Sequence, residues 1–330
     1  MPNTLAHLGA QTLATRAVIR GADLKWIFAG AVIPDVPWIL GRATRTLVPA
    51  LHGYDLWAYL IAQSSLAVSL LLCAALAALA ASPTRAFGIL ALNSLLHLVL
   101  DGLQEKWGNR VHILAPVSWD GWSADWFRIE SWPTYLLTAL GVAVGLWGLR
   151  RACHAAPARV LALRRVMFGA ALVALYLITP IFLRHGPIRA DSNSMGTLRD
   201  YGARTGRHVT FDRAPYRVRQ GGHYVRTYIG EELALTTRLL PRSTVVSVRA
   251  TFVNDSTLMV RELREHAGWN RDLLNYVGLM LVALVWAMIL ARAVPNRGWL
   301  PPTRRSPAAD RKPHADGSRS EDGVDEGRQG

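Results

Sequence analysis

The sequence predicts a mainly α-helical membrane protein, a polytopic helical bundle with an inserted small extracytoplasmic β-barrel or β-sandwich domain. Apolar residues make up 51% of the 330 residues, and the mean hydropathy is +0.18. The run 56–81 has no charged residue and is long enough to cross a hydrocarbon core of about 30 Å as one helix. Residues 184–271 instead alternate apolar and polar positions, as in HYVRTYI and TVVSVRATFV, which favours strands.

Apolar runs define the order of the predicted helices. They lie at 5–20, 24–40, 56–81, 86–103, 132–149, 160–183 and 273–294. The predicted organisation is a helical bundle over 1–183, a β-rich domain over 184–271, a C-terminal transmembrane helix over 272–294 and a disordered cytoplasmic tail over 295–330. The N-terminus has neither a basic n-region nor a cleavage site, so we expect it to be retained.

Basic residues predict the orientation of the bundle. They cluster in alternate short loops, at Arg16, Arg20, Lys25, Arg85, Arg150, Arg151, Arg159, Arg164 and Arg165. The positive-inside rule makes these loops cytoplasmic, which places loops 41–55 and 104–131 and the β-rich domain outside the cytoplasmic membrane. Orientation in the membrane also accounts for the net charge of +14, so nucleic-acid binding is not expected. The two cysteines, Cys73 and Cys153, indicate neither a disulfide framework nor a thiolate zinc site.

The predicted topology brings ionisable residues to the outer membrane face. His97 and Asp101 are four residues apart and share one side of a helix. Asp35 lies between two prolines at the outer end of the second segment, and charged residues within apolar spans usually mark functional sites. His7 and His52 begin the first and precede the third segment. These five residues are the predicted metal ligands, and a His–carboxylate clamp between helices is the alternative.

Imidazole and carboxylate ligands without a thiolate suit a divalent metal, best Zn²⁺, with Mn²⁺ or Fe²⁺ as alternatives. A bound ion would polarise a phosphoryl or carbonyl group, and Asp55 or Asp101 are the candidate general bases. His112 belongs either to the site or to the loop around it.

The motif order resembles a known family. A histidine near the N-terminus, G-x-x-x-P-D at Gly30 to Asp35, an isolated His52 and H-x-x-x-D at His97 and Asp101 are similar to the membrane-bound metal-dependent hydrolases of the inner membrane, which are distantly similar to zinc-dependent phospholipase C. The resemblance covers roughly the first 120 to 150 residues. Relatives often carry P-D-x-D and H-R-x-x-T-H-S, where this chain has PDVPW and LHGYDLW. One expected ligand in each motif is therefore absent or replaced, and Asp55 is the candidate replacement.

Together these features predict a metal-dependent hydrolase that acts on an ester or phosphoester of an amphiphilic substrate among the membrane lipids, at the outer interface. The alternative is a non-catalytic membrane protein with a structural His/Asp cluster and a β-rich domain that binds an undefined partner. That domain is rich in Arg with interleaved Tyr216, Tyr224 and Tyr228, which is typical either of a solvated face or of a surface for an acidic polymer or lipid.

Two further features bear on these alternatives. A proton-coupled transporter is disfavoured, because segments 132–149 and 273–294 carry almost no polar residues. Four tryptophans within 119–132 predict an interfacial anchor or a lipid-facing rim of the site.

Overall fold

A computed structural model describes residues 3–47, 53–152, 162–219, 221–266 and 270–293. His52, Cys153 and the predicted tail 295–330 lie outside these described residues. The helices are α1 Thr4–Val18, α2 Leu24–Val32, α3 Val36–Leu47, α4 Gly53–Gln63, α5 Leu66–Ala78, α6 Pro83–Gly102, α7 Trp132–Ala152, α8 Leu163–Leu183, α9 His185–Arg189, α10 Met195–Arg199 and α11 Asn270–Ala293. Short 3₁₀ turns cover Ile33–Asp35, Ser192–Ser194 and Tyr201–Ala203.

Several helices of the bundle are apolar enough to cross a membrane. In the described part, five stretches are also long enough, namely Leu24–Gly41, Pro83–Gly102, Trp132–Arg151, Leu163–Arg189 and Asp272–Ala291. Helix α1 is shorter, with 15 residues, and packs against α2, α6, α7 and α11. It approaches α7 closely, because a Cβ on Gly9 would lie only 2.7 Å from the backbone nitrogen of Gly141. Small residues therefore let α1 lie inside the bundle.

The uncharged run 56–81 is not one helix, which corrects the prediction from its length. Helices α4 and α5 meet at an angle of 66°. The Ser64 hydroxyl donates to the Ile61 carbonyl at 3.0 Å, and the Ser65 hydroxyl donates to the Ala62 carbonyl at 2.7 Å. Serine hydroxyls that bond to nearby carbonyls compete with the helical ladder, so Gln-Ser-Ser ends α4 in the middle of the apolar run.

The strands of the described residues are β1 His208–Arg219, β2 Gly222–Arg226, β3 Glu232–Leu235, β4 Thr244–Asn254 and β5 Thr257–His266. They form one sheet in the order β1-β2-β3-β5-β4, and β4 pairs in turn with β1. All pairs are antiparallel except β3–β5, which is parallel and joins Ala234 with Thr257 and Leu235 with Leu258. Strand structure thus begins at His208, and the first part of the predicted β-rich segment consists of the short helices α9 and α10 and their turns.

Helix α4 packs on the sheet. Tyr54, Ala58 and Ile61 belong to the same apolar cluster as Phe211 and Val248 of the strands. The sheet and the bundle consequently form one contact unit, Met1–Val294.

A buried ion pair lies at this junction. The fully buried Arg204 side chain makes two hydrogen bonds to the Glu231 carboxylate, at 2.6 and 2.9 Å, and Tyr54 donates to the same carboxylate at 2.8 Å. Arg204 also donates to the carbonyls of Leu198 and Asp255. These partners satisfy a charge that would otherwise be costly to bury.

Candidate metal centre

The ends of antiparallel helices bring three predicted ligands together. His7 lies in the second turn of α1, while His97 and Asp101 lie in the last turns of α6. His7 Nε2 is 3.3 Å from Asp101 Oδ1, and His97 Nε2 is 3.8 Å from Asp101 Oδ2. The two imidazole rings stack with their centroids 4.0 Å apart. Residues up to 94 positions apart in the chain, His7, His97 and Asp101, thus form one group, called here the His/Asp cluster.

The donor atoms of the His/Asp cluster could hold a metal ion. One nitrogen or oxygen atom from each residue lies within 4.8 Å of the other two. All three residues are at most 2% exposed. His7 Nε2, His97 Nε2 and Asp101 Oδ1 have no hydrogen-bond partner among the described residues. Buried polar atoms are normally hydrogen-bonded, whereas these three face one another with only the 3.3 Å ion pair of His7 and Asp101 among them, an arrangement that could hold a shared cation.

The ring of His97 is oriented for coordination. Its Nδ1 is 2.7 Å from the carbonyl oxygen of Ala31, so in the neutral ring Nδ1–H donates and the lone pair of Nε2 faces the cluster. This contact requires α2 to approach α6 closely at Gly30. A Cβ on Gly30 would lie 2.7 Å from Asn93 Cβ and 2.9 Å from the Leu90 carbonyl oxygen. The glycine of the G-x-x-x-P-D motif therefore helps to position a candidate ligand.

Gln11 holds the ring of His7. Its side-chain amide lies 3.1 Å from His7 Nδ1, and its Oε1 has no partner in the described part of the chain. A half-turn of the amide would let Oε1 accept from Nδ1–H, which would leave the Nε2 lone pair of His7 for an ion. Sequence reasoning did not name Gln11, although its position four residues after His7 on one helix is the available signal.

The other predicted ligands differ in placement. Asp35 Oδ1 is 3.6 Å from His97 Nε2, and the Asp35 side chain is 21% exposed, so it lies at the rim of the cluster. His52 lies outside the described residues.

Asp55 is not brought to the cluster. The first turn of α4 directs Asp55 toward α10, where it pairs with Arg199 at 3.1 Å and lines a different cavity. The general-base role considered for Asp55 therefore finds no support in its position.

A cavity of about 750 Å³ adjoins the His/Asp cluster. Asp101 and Leu98 line it from α6, Trp38 and Trp57 from α3 and α4, and His266 from the sheet. The loop after α6 also contributes Lys106, Asn109, Arg110 and His112. His112 therefore belongs to the cavity wall rather than to the candidate ligands. The mixture of polar and apolar walls is typical of a site for a small organic ligand.

Of the four tryptophans in the segment 119–132, two are packed against other residues and two are exposed. Trp119 packs against the core of the sheet, and Trp122 covers Gly102 at the end of α6. Trp126 and Trp132 are instead 76% and 74% exposed. Exposed tryptophans of this kind favour the headgroup region of a membrane.

A polar network joins the sheet to loop 104–131. The fully buried Ser247 hydroxyl lies 2.8 Å from His266 Nε2, and His266 Nδ1 lies 3.0 Å from Glu130 Oε1. Ser247 Oγ also accepts from the Arg213 backbone N–H at 3.1 Å and donates to Asp212 at 3.0 Å. This hydroxyl is enclosed and fully hydrogen-bonded at the β1 bulge, so it has the properties of a structural serine and not of a nucleophile.

The hydrogen bond from His266 has the largest influence on the pKa of Glu130. Together with the bond from Arg213, and against partial burial, it lowers the pKa of Glu130 to about 2. The carboxylate is therefore ionised at neutral pH and anchors the loop to the sheet.

Comparison with known proteins returned no relative: no family model, curated protein or solved structure matches this chain.

Proposed function

We propose that the protein is a metal-dependent hydrolase of the cytoplasmic membrane that acts on an ester or phosphoester of an amphiphilic substrate at the outer interface. The observation that carries the proposal is the buried His/Asp cluster, whose Asp101 also lines the adjoining cavity. His7 Nε2 and Asp101 Oδ1 lie 3.3 Å apart, as a clamp between helices would place them, but the third atom, His97 Nε2, has no hydrogen-bond partner in the described part.

The donor set favours Zn²⁺. Two imidazole nitrogens and one carboxylate oxygen are the protein ligands of many catalytic zinc sites, which keep one position open for substrate. Cys73, the free cysteine of the described residues, is hydrogen-bonded to the Ser94 hydroxyl and is not a member of the His/Asp cluster. A divalent ion held there would act as a Lewis acid toward a phosphoryl or carbonyl oxygen. Asp35, at the rim, is placed either to complete the donor set or to accept a proton.

The distribution of arginines supports the proposed orientation. At the end of the bundle opposite the cluster, Arg85 donates to the carbonyls of Arg20 and Gly21 at 2.9 and 3.1 Å. Arg165 donates to the Ala80 carbonyl at 3.2 Å at the start of α8. We assign this arginine-rich end to the cytoplasm by the positive-inside rule, with the His/Asp cluster and the sheet on the outer side.

Metal analysis of the purified full-length protein in detergent tests the proposal. We expect about one equivalent of zinc in the wild type, since the described residues contain one cluster of three ligands. A His97→Ala, Asp101→Ala double variant should lose the metal and the hydrolysis of an amphiphilic phosphoester. The control is a His185→Ala, Asp55→Ala double variant, which removes the same residue types outside the cluster and should keep its zinc. Equal, negligible metal in the wild type and both variants would exclude the proposal.

Retention of zinc without hydrolysis of any ester or phosphoester amphiphile would instead support a structural ion and the non-catalytic alternative. The two outcomes are separable, because metal content and turnover are measured independently.

A further inference from the structure

The cavity beside the His/Asp cluster contains a buried cation. Lys106 lies five residues after Asp101, is 5% exposed and lines the cavity. Among the described residues its ammonium group forms no hydrogen bond and no ion pair within 4.0 Å. The Asp101 carboxylate interacts with it electrostatically from a longer distance. A lysine is rarely buried without a close anion, so the place of Lys106 in the cavity wall suggests an anionic ligand.

Two further polar groups on the same loop lack partners. Asn109 Oδ1 and His112 Nδ1 are buried and have no hydrogen bond in the described part of the chain, and both residues line the cavity. The Asn109 amide can present its NH₂ group to a ligand after a half-turn. Burial lowers the pKa of His112, whose ring also interacts with the Trp119 backbone, so the neutral ring donates to a ligand only in the tautomer that carries its proton on Nδ1. Lys106 and Asn109, joined by His112 in that tautomer, can therefore donate to one ligand.

The remaining charges of the cavity favour an anion beside this loop. Arg110 lines the same wall and has no ion pair among the described residues. The carboxylates of the cavity are Asp101, Asp212 and Asp272. Asp101 belongs to the His/Asp cluster and Asp212 accepts from Ser247, while Asp272 is exposed to solvent. Of the described residues that line the cavity, the nearly buried Lys106 and the exposed Arg110 thus remain as the cations without an ion pair.

The opposite wall of the cavity is apolar. Trp38, Trp57 and Ile61 of α3 and α4 line it, together with Leu98 of α6. Such a wall can bury an alkyl chain, and each buried CH₂ group contributes favourably to binding. One cavity therefore offers hydrogen-bond donors at one side and an apolar surface at the other.

We propose that residues Lys106, Asn109, Arg110 and His112 form a phosphate-binding subsite, so that the substrate is an amphiphile whose phosphate group lies between this loop and the His/Asp cluster. The proposal rests on the proposed function and narrows its substrate from an ester or phosphoester to a phosphate-bearing amphiphile. Phosphate fits this subsite better than a neutral ester, because a tetrahedral anion can accept hydrogen bonds from several donors at once.

Calorimetric titration of the full-length protein in dodecyl maltoside micelles tests the subsite. The three ligands are octyl phosphate, inorganic phosphate and octyl glucoside, each added to zinc-loaded and to EDTA-treated protein. Lys106→Met should weaken octyl phosphate binding about tenfold or more, because a charge-assisted hydrogen bond is lost. Lys106→Arg should retain most of the affinity, and octyl glucoside binding should not change in either variant. The matched control is Arg242→Met, which removes an exposed cation that pairs with Glu265 away from the cavity.

Each outcome supports or overturns the subsite. Wild-type affinity for octyl phosphate in Lys106→Met overturns it, provided that zinc content and thermal unfolding are also unchanged. If inorganic phosphate binds as tightly as octyl phosphate, the proposal of an amphiphilic substrate is rejected and the subsite is a site for free phosphate. Zinc binding without octyl phosphate binding rejects the subsite alone, whereas octyl phosphate binding by EDTA-treated protein that never takes up zinc rejects the proposed function alone.

Discussion

The close approach of α2 to α6 predicts that Gly30→Ala will impair the candidate metal centre without touching a ligand. The new Cβ would lie 2.7 Å from Asn93 Cβ. Carbon atoms in contact are about 3.5–4.0 Å apart, so α2 has to move by about 1 Å. The same movement would lengthen the 2.7 Å contact between the Ala31 carbonyl and His97 Nδ1. At about 3.5 Å or more that hydrogen bond is lost.

Gly30→Ala is expected to reduce both the stability of the protein and its affinity for zinc. Overpacking of a helix contact destabilises a protein by about 1–3 kcal/mol. Loss of the outer partner of a metal-binding histidine reduces metal affinity by about 10- to 100-fold. Zinc affinity of Gly30→Ala is measured by competition with a chromophoric chelator, and stability by thermal unfolding in the same detergent.

Gly88→Ala is the matched control on α6. A Cβ on Gly88 meets nothing within 4 Å, so this variant should keep wild-type zinc affinity. Alanine should also stabilise the helix by about 0.5–1 kcal/mol relative to glycine. The reasoning is refuted if Gly30→Ala remains folded and binds zinc within about twofold of the wild type, or if Gly88→Ala loses affinity equally.

Three further predictions concern charged groups. Asp101→Asn should lower zinc affinity by at least about 100-fold because it removes a ligand, while Asp55→Asn should leave it unchanged; chelator competition measures both. The Glu130 pKa falls from 4.5 to about 2 on folding, so the ionised carboxylate stabilises the fold fully above pH 4.5 and this contribution is lost as the pH falls through 2. The stability difference between wild type and Glu130→Gln should therefore be about 1–2 kcal/mol at neutral pH and vanish near pH 2 in urea unfolding; a difference that grows on acidification contradicts this assignment. Arg204→Met should cost about 3–5 kcal/mol because it strands a partly buried carboxylate. Arg242→Met, which breaks an exposed pair with Glu265, should cost much less, and equal costs in thermal unfolding would contradict the structural role of the Arg204–Glu231 pair.

Local patterns were sufficient to predict most elements. Five apolar runs correspond to one helix each, the runs 24–40 and 56–81 are each divided between two helices, and period-two alternation corresponds to the five strands of the described residues. The break in the run 56–81 was missed, because hydropathy does not report the hydrogen bonds of Ser64 and Ser65 to the preceding carbonyls.

The candidate site was predicted in part. His97 and Asp101 share a helix face by spacing alone, and His7 joined them through the topology drawn from basic residues. No spacing rule could show that Asp55 faces Arg199 instead. Sequence reasoning also missed Lys106, because burial of a lysine in a loop has no signature in the local sequence.

The sequence by itself determined most of the helical and strand segments and which residue types can bind a metal, because periodicity and side-chain chemistry are local properties. Only the tertiary structure decided which of those side chains meet. Contacts such as that between His7 and Asp101 join positions more than 90 residues apart, and they depend on how closely helices pack at Gly9 and Gly30. The cavity walls likewise come from the bundle, the loop and the sheet, so their combination of cations and apolar surface exists only in the folded chain.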